Sequence, residues 1–320
     1  MGDSGPAVTI IIPARLGQSD VPAIEAAQRL HSPDGPIEVL LVRGNQPSAQ
    51  RNRALREARG GWVYFLDDDA VPDAENLVRV AALLQDRSVG VVGGPAVCPS
   101  SASIWEQVAA ATMASWLAFG PSRARYEPVG NRRDSSEKEL ILCNLMARRE
   151  VLLELGGFDE ALYPNEENAL MDAVSASGRR LVYDPDFVVE RAPRPSLGAY
   201  VTMLVRYGRG RAEQFKRHPT SGSLLNAVPA MLSLYLIAWW WLPGWLQSGL
   251  VVYGVAVLVQ SLVLMGRRRV VIALAALPLL VVSHLAYAAG LWVGLATGVR
   301  GERRSEPPRV ELERVATTHV

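Results

Sequence analysis

An apolar stretch without acidic residues, residues 223–299, constrains this 320-residue chain more than any other feature. It contains no Asp, Glu or Lys, and its only charged residues are Arg267, Arg268 and Arg269. A stretch of this kind is longer than the roughly 20 apolar residues that one helix needs to cross a bilayer core. The sequence therefore predicts a charged domain of about 200 residues, long enough to bury its own core, followed by a membrane segment.

Two apolar runs within this stretch have the length of membrane-spanning helices. They cover residues 224–242 and 249–265, and tryptophans surround the turn between them, as in an interfacial aromatic belt. A hairpin of these runs would leave the three arginines on the side of the first domain, in agreement with the positive-inside rule. The run 270–299 is either a third span or a re-entrant or interfacial segment, and the sequence leaves both open.

Predicted strands and helices alternate through the first 200 residues. Residues 8–12 and 37–42 are continuous apolar runs typical of buried parallel strands, and residues 49–58 are predicted as a helix. A third predicted strand, residues 62–66, is followed directly by Asp67, Asp68 and Asp69. The alternation predicts an α/β domain with a mostly parallel sheet. Ligands of such sheets lie beyond the carboxyl ends of the strands, where the three aspartates stand.

Three consecutive carboxylates repel one another, so their presence together needs an explanation. A divalent cation supplies one, because Mg²⁺ and Mn²⁺ bind carboxylate oxygens and also bridge phosphates. A helix cap by Asp68 or Asp69, with the other carboxylates solvated, explains the same residues without a metal. The aspartates alone do not decide between these interpretations.

Composition narrows the class of protein further. The only cysteines, Cys98 and Cys143, have no metal-ligand spacing and suit free thiols in a reducing compartment. A net charge of +1, without a basic patch interleaved with aromatic residues, predicts no nucleic-acid binding. The N-terminus lacks the features of a secretory signal. We therefore expect a multi-pass protein of the cytoplasmic membrane whose first domain is cytoplasmic.

Several short motifs follow one another between residues 8 and 211. They are a first strand with Pro13 near its end, Gln50-Arg51-Asn52, Phe65-Leu66-Asp67-Asp68-Asp69, Gly156-Gly157-Phe158-Asp159-Glu160 and Asn165-Glu166-Glu167-Asn168. Their order and spacing resemble those of family 2 glycosyltransferases with the GT-A fold. Pro164-Asn165-Glu166-Glu167 and Arg206-Tyr207-Gly208-Arg209-Gly210-Arg211 are similar to segments of the bacterial succinoglycan-type enzymes, which have C-terminal membrane helices.

This resemblance implies an inverting, metal-dependent glycosyltransferase in exopolysaccharide or cell-envelope glycan synthesis. The donor would be a UDP- or GDP-type nucleotide sugar, the acceptor a lipid-linked, polyprenyl-type molecule at the cytoplasmic membrane face, and the cofactor Mg²⁺ or Mn²⁺. The implied nucleotide-binding residues are Pro13, Arg15, Arg51, Asn52, Asp67 and Asp68. The implied metal ligands are Asp69, Asp67 and Glu190, and the implied acceptor or phosphate contacts are Arg206, Arg209, Arg211 and Asn144.

Glu167, with Glu166 beside it, stands where the family has its catalytic aspartate. A carboxylate there would take the proton of the attacking hydroxyl while a metal offsets charge on the leaving nucleoside diphosphate. The sequence departs from the family pattern in having Glu for Asp, and in having Arg43 where the second strand usually ends in Asp. Where the family often places a His toward the metal, this chain has Glu190 and Arg191, so either Glu190 replaces it or the metal site is incomplete.

Two other functions and a simpler role for the basic segment stay open. The chain could transfer a sugar to polyprenyl phosphate itself, or it could be a non-catalytic membrane protein that binds a nucleotide sugar. The basic residues between Arg206 and His218 could contact anionic lipid headgroups rather than an acceptor phosphate. The predicted organisation is a GT-A domain (1–200), a basic membrane-proximal segment (201–222), two or three transmembrane or interfacial helices (223–299) and a charged, disordered tail (300–320).

Overall fold

The structure is a computed structural model, and the residues it describes are 6–219, 226–303 and 307–315. The chain forms two compact units. The first contains Met1–Pro99, Ala124–Arg191 and Arg304–Val320, and the second contains Ser100–Arg123 and Ala192–Arg303. The division differs from the predicted organisation, because residues 100–123 belong to the second unit and the C-terminal residues to the first.

Strands and helices alternate in the first half of the chain, and long helices follow. The first elements are β1 (Val8–Arg15), α1 (Pro22–Gln28), β2 (Ile37–Gly44), α2 (Pro47–Glu57), β3 (Trp62–Leu66), β4 (Val71–Pro72), α3 (Asn76–Gln85), β5 (Val89–Gly93), β6 (Ala96–Val97), α4 (Ile104–Met113) and α5 (Trp116–Phe119). The chain continues through β7 (Arg133–Asp134), β8 (Asn144–Arg148), α6 (Arg149–Glu154), α7 (Glu166–Ala176), β9 (Arg180–Tyr183) and β10 (Val189–Glu190). The last elements are α8 (Leu197–Arg217), α9 (Val228–Ala238), α10 (Gly244–Gln247), α11 (Gly249–Met265), α12 (Val270–Ala296) and β11 (Val310–Val315).

An eight-stranded sheet in the order β11-β2-β1-β3-β8-β5-β9-β7 forms the centre of the first unit. β1 runs parallel to β2 and β3, and β5 runs parallel to β9. β8 is antiparallel to both β3 and β5, and the two edge strands are antiparallel to their neighbours. The α/β prediction is confirmed, but the sheet is mixed rather than mostly parallel. An apolar run indicates a buried strand without giving the direction of its partner.

Both faces of this sheet are buried, which explains the continuous apolar runs of its strands. On β1, Ile10 and Ile12 join one apolar cluster and Ile11 joins the other. Successive side chains of a strand point to opposite faces, so a run without polar residues fills both clusters. β3 lies between β1 and β8 in the sheet. The aspartates that follow β3 therefore stand at the end of a buried central strand.

The C-terminal residues do not all form the disordered tail that composition predicts. β11 pairs with β2 from Val310 opposite Gly44 to Val315 opposite Val39. Nη1 of Arg43 lies 2.6 Å from Oε2 of Glu313, so this carboxylate of β11 has a partner on β2. The tail prediction is wrong for this segment, because Val310, Leu312 and Val315 pack against the apolar clusters of the sheet while Glu313 and Arg314 form ion pairs.

The second unit is helical, and α12 packs against α4, α8, α9 and α11. Two of its helical segments, Gly244–Met265 and Val270–Ala296, are long and apolar enough to cross a membrane, and Val228–Trp241 is a shorter apolar segment. The predicted apolar run 224–242 begins in residues outside the described part of the chain. The predicted helix 249–265 is confirmed, and the run from 270 forms one continuous helix through Pro278.

Candidate active site

Two of the three aspartates after β3, Asp67 and Asp69, are held by arginines from two other parts of the first unit. Nη2 of Arg51 lies 3.3 Å from Oδ1 of Asp67, and Nη2 of Arg191 lies 3.0 Å from Oδ2 of the same carboxylate. Nε of Arg191 also lies 2.7 Å from Oδ1 of Asp69. The guanidinium of Arg191 therefore bridges Asp67 and Asp69, and positive charge offsets the repulsion that the sequence leaves unexplained.

Asp68 points to a different partner, the loop after β1. Nε2 of Gln18 donates to Oδ2 of Asp68 over 2.7 Å, and the backbone N–H of Arg15 donates to Oε1 of Gln18 over 3.2 Å. The side chain of Arg15 is exposed, and Pro13 is half-buried within β1. Asp68 thus ties the β1 loop to the end of β3. No sequence motif marks Gln18 as part of the site.

Arg51 joins the aspartates to the first turn of α7. It lies on α2, whose N-terminus is capped by the Gln46 side chain, and its Nη1 is 3.0 Å from Oε1 of Glu166. Both members of this ion pair are buried, and Nε of Arg51 and Oε2 of Glu166 have no hydrogen-bond partner. Loss of one partner would leave a buried unpaired charge, which costs roughly 3–5 kcal/mol. Arg51 therefore fixes the position of α7 relative to β3.

The two adjacent glutamates at the start of α7 have different environments. Burial, together with repulsion from Glu167, raises the pKa of Glu166, and Arg51 opposes this shift. Glu167 is only partly buried in the same first turn. The assignment of Glu166 as a catalytic residue is corrected, because its carboxylate is enclosed and paired with Arg51. Glu167 is the member of the pair that solvent reaches.

Asn52 holds the Gly156–Glu160 turn rather than facing a ligand. Its Nδ2 donates to the backbone O of Phe158 over 2.8 Å and to Oε1 of Glu160 over 2.9 Å, and its Oδ1 accepts the N–H of Phe158 over 2.8 Å. A Cβ at Gly157, whose φ is +77°, would lie 2.4 Å from this Oδ1. Because Asn52 is buried and satisfied, the predicted nucleotide contact is replaced by a structural role that requires the glycine.

Asn144 is also a core residue and does not reach an acceptor. It is fully buried on β8, and its Nδ2 donates to the backbone O of Phe187 over 2.6 Å and of Pro95 over 3.2 Å. Its Oδ1 accepts the hydroxyl of Tyr64 over 2.7 Å. Burial raises the pKa of Tyr64, so this phenol stays protonated and donates. The assignment of Asn144 as an acceptor contact is therefore wrong.

Arg191, and not the expected Glu190, contacts the aspartates. Glu190 is exposed on β10, opposite Val71, whereas Arg191 makes the contacts with Asp67 and Asp69. Successive side chains of an extended chain point to opposite sides, so only one of the two can face the aspartates. Among the described residues, no group of three or more His, Cys, Asp or Glu could hold a metal ion. The predicted ligand set of Asp67, Asp69 and Glu190 is therefore not assembled.

Asp67 and Asp69 alone still fit a metal ion that is also bound by the phosphates of a substrate. Mg²⁺ sites commonly use one or two protein carboxylates together with substrate phosphates, and Asp67 and Asp69 supply two such groups. Arg191 shows that the space between them accepts a cation. Burial raises the pKa of the Cys143 thiol to about 12 although Arg191 is adjacent, so this cysteine stays protonated in the metal-free protein.

The predicted acceptor arginines lie on α8 of the second unit and differ in exposure. Arg206 is exposed. Nε of Arg209 lies 2.8 Å from Oε1 of the fully buried Glu213, and Nη1 of Arg211, itself buried, donates to Oε1 of Gln214 over 3.0 Å. Two of the three guanidinium groups are thus already paired within the helix, and Arg206 is the member that a ligand could reach without breaking such a contact.

An α/β sheet with paired aspartates beyond a central strand is the architecture of GT-A glycosyltransferases. The chain shares this fold with the mannosyltransferase PcManGT from Pyrobaculum calidifontis, solved with GDP-Man and Mn²⁺, at a TM-score of 0.55 and 18% identity, over 91% of this chain and 87% of that one. Residues 20–156 match the model of glycosyl transferase family 2. The chain thus carries a family 2 domain and is a glycosyltransferase.

Two groups of relatives extend this match beyond the domain. The succinoglycan biosynthesis protein ExoA of Rhizobium meliloti is 29% identical over 276 residues, which are 84% of this chain and 80% of that protein. The pre-mycofactocin glycosyltransferase of Mycobacterium tuberculosis is 28% identical over 198 residues, which are 57% of this chain and 38% of that protein. The similarity to ExoA includes the region that follows the family 2 match.

Proposed function

We propose that this glycosyltransferase is a metal-dependent, inverting enzyme that transfers a sugar from a nucleotide sugar to a lipid-linked acceptor. The catalytic domain would act at the cytoplasmic face of the membrane, in the assembly of an exopolysaccharide or cell-envelope glycan. The observation that carries the proposal is the network of Asp67, Asp69, Arg51 and Arg191, joined through Glu166 to a first helical turn in which Glu167 is accessible.

Asp67 and Asp69 would hold the divalent metal, which when bound neutralises charge on the diphosphate leaving group. PcManGT was solved with GDP-Man and Mn²⁺. This supports a nucleoside diphosphate sugar as the donor substrate of the present chain. Arg191 would leave the space between the aspartates and remain as a cation beside the diphosphate oxygens. Arg51 stays behind Asp67 and keeps one oxygen of that carboxylate oriented.

Glu167 is the general base in this proposal. It lies in the first turn of α7, and it is only partly buried. A carboxylate accepts the proton of the acceptor hydroxyl as its oxygen attacks the anomeric carbon, and the nucleoside diphosphate departs from the opposite side. One displacement of this kind inverts the anomeric configuration. Glu166, paired with Arg51, would position the helix from which Glu167 acts.

The lipid acceptor is proposed from the second unit and from the relatives. ExoA is named for succinoglycan biosynthesis, a polysaccharide assembly process. The apolar helices of the second unit would place the enzyme beside a membrane, and the exposed Arg206 supplies a guanidinium for a phosphate group.

The test uses the full chain purified in detergent, a panel of UDP- and GDP-sugars, Mn²⁺ or Mg²⁺, and polyprenyl-linked acceptors. We expect metal-dependent transfer that Glu167→Gln reduces by about 10²–10⁴-fold, the range for loss of a general base. Glu150→Gln is the matched control, because Glu150 occupies the exposed first turn of α6. Equal rates for wild type and Glu167→Gln would refute the assignment of the base.

The same assay separates the alternatives. Transfer to polyprenyl phosphate, but not to a polyprenyl-linked sugar, would identify the acceptor as the lipid phosphate itself. Binding of a nucleotide sugar with no transfer or hydrolysis under any metal condition would identify a binding protein and refute the proposed reaction. Product configuration, measured by NMR of the anomeric proton, tests inversion separately.

A further inference from the structure

The helix that carries Glu167 begins at a residue with unusual backbone geometry. Asn165, the N-cap of α7, has a φ of +85°, and no other non-glycine residue in the described part of the chain has a positive φ. This conformation is open to glycine, and asparagine adopts it more readily than most other residues. It persists only where the surrounding structure fixes it. The contacts of Asn165 therefore identify what holds the start of α7.

The side chain of Asn165 contacts another side chain rather than the helix backbone. In the described first turn of α7, no backbone N–H donates to it as it would to an ordinary N-cap. Instead, its Oδ1 accepts a hydrogen bond from Nδ2 of Asn168 over 2.7 Å. Asn168 is fully buried, and Asn165 is only 6% exposed. The two amides therefore link the N-cap to the third residue of the helix, across Glu166 and Glu167.

Arg125 completes this network from outside the helix. Its Nη2 donates to Oδ1 of Asn168 over 2.7 Å, so both ends of the Asn168 amide have partners. Its Nε donates to the backbone O of Lys138 over 2.9 Å, and its Nη2 also donates to the backbone O of Glu137. Because a guanidinium presents its donors in a rigid planar fork, these acceptors are held in one arrangement. Arg125 thus ties α7 to the segment between β7 and β8.

Glu167 lies between two anchored neighbours in this turn. Before it in the chain, the buried carboxylate of Glu166 pairs with Arg51 of α2. After it, the buried amide of Asn168 pairs with Arg125. Successive residues of an α-helix are rotated by about 100° around its axis, so the two contacts hold the turn from different directions. They fix the rotation of the helix, and with it the direction in which the partly buried Glu167 leaves the helix.

We infer that Arg125, Asn165 and Asn168 are positioning residues for the reaction, which hold Glu167 where it can reach the hydroxyl of the acceptor. A general base must lie within hydrogen-bond reach of the proton that it takes, so a small rotation of α7 would remove it from the reaction. The two asparagines are buried and act through the helix. This inference rests on the proposed role of Glu167 as general base, and it gives a function to the residues on either side of the two glutamates.

The test is a double-mutant cycle between Asn168→Leu and Glu167→Gln, in the full chain purified in detergent and assayed with a radiolabelled nucleotide sugar. Leucine keeps the approximate size of the side chain and removes both hydrogen bonds. We expect Asn168→Leu to lower kcat by about 10–100-fold with little change in KM for the nucleotide sugar, because a displacement of about 1 Å can cost about 10² in rate. In the Glu167→Gln background the same substitution should have little further effect on kcat, because the base is already absent.

Thr9→Val is the matched control for the loss of a buried polar side chain. Thr9 is fully buried near the amino end of β1, whereas the aspartates stand at the carboxyl end of the parallel strand β3. Its Oγ1 donates to Oε2 of Glu38 over 2.6 Å and accepts the N–H of Gly60 over 2.8 Å. We expect this substitution to lower the unfolding temperature and to leave kcat unchanged. An equal fall in kcat for Thr9→Val and Asn168→Leu would show that lost stability alone explains the effect.

Equal losses of kcat from Asn168→Leu in the two backgrounds, or a loss confined to KM, would overturn the positioning role and leave the proposed function intact. Equal rates for wild type and Glu167→Gln would refute the proposed base itself.

Asn165→Gly and Asn165→Ala provide the same test if Asn168→Leu does not fold. Both remove the contact of Oδ1 with Asn168, but only glycine adopts the positive φ without a steric cost. We expect both substitutions to lower kcat, alanine more than glycine, and neither to have a comparable effect in the Glu167→Gln background. Wild-type kcat in Asn165→Gly would contradict the role of the amide pair.

Discussion

Replacement of Arg191 by Gln tests whether this guanidinium occupies the position of the metal. In the structure its Nη2 and Nε atoms lie 3.0 and 2.7 Å from carboxylate oxygens of Asp67 and Asp69. A cation that binds between these aspartates must first displace Arg191. Glutamine removes the charge, keeps much of the side-chain volume, and leaves both carboxylates available to a metal.

The expected size of the effect follows from the exposure of these groups. The Arg191 side chain is 20% exposed, while those of Asp67 and Asp69 are 24% and 49% exposed. Exposed ion pairs contribute about 0.2–1 kcal/mol and hydrogen bonds to charged groups about 1.5–3 kcal/mol, so a partly screened double contact contributes about 1–2 kcal/mol. Arg191→Gln should therefore raise the affinity of the nucleotide-free protein for Mn²⁺ by about 5–30-fold.

The assay is titration of the detergent-purified chain with Mn²⁺, in which the electron paramagnetic resonance signal of free Mn²⁺ gives the bound fraction. Arg180→Gln is the matched control, because Arg180 also bridges two aspartates, Asp86 and Asp134, away from the site. Asp69→Asn should abolish the gain in the Arg191→Gln background. Unchanged or weaker Mn²⁺ binding by Arg191→Gln would refute the idea that arginine and metal compete for one position.

Three further predictions concern the buried parts of the protein. Because the pKa of Glu166 is raised in the folded state, its contribution to stability is complete at acidic pH and is lost as pH rises toward about 8. Wild type should therefore lose unfolding temperature relative to Glu166→Gln between pH 5 and 8, because glutamine stays neutral, and a constant difference between the two proteins would contradict the raised pKa. Gly290→Val should lower stability by about 1–3 kcal/mol or more, because its Cβ meets the Val205 backbone; Gly254→Val, which meets no atom within 4 Å, should have little effect in the same thermal unfolding measurement. The Cys143 thiol, whose pKa burial raises to about 12, should react with a maleimide only after unfolding, and labelling of the native Cys98→Ser chain would show the opposite.

The candidate site shows where sequence patterns are reliable and where they are not. The apolar run predicts the strand that precedes the three aspartates, because such runs depend on neighbours in sequence. The roles of Glu166 and Glu167 were not separable, since both fit the same helical turn. Arg51, which lies far away in the sequence, pairs with Glu166 and leaves Glu167 as the accessible carboxylate.

Two corrections have the same origin. The family resemblance implies ligand contacts for Asn52 and Asn144. In the structure both side chains are buried, and backbone groups from distant segments satisfy their amides. A buried amide of this kind stabilises the turn or strand that it joins, and no local pattern distinguishes it from an exposed one.

The sequence by itself determined the division into a charged α/β domain and an acid-free helical part, the positions of the buried strands, and the place of the aspartates. These features follow from hydrophobic periodicity and charge, which act over a few residues. Only the tertiary structure decided that Arg191 rather than Glu190 faces Asp67, that β8 runs antiparallel, and that β11 returns to the sheet. These features depend on which distant segments pair and in which register, because the register sets the face of the sheet to which each side chain points.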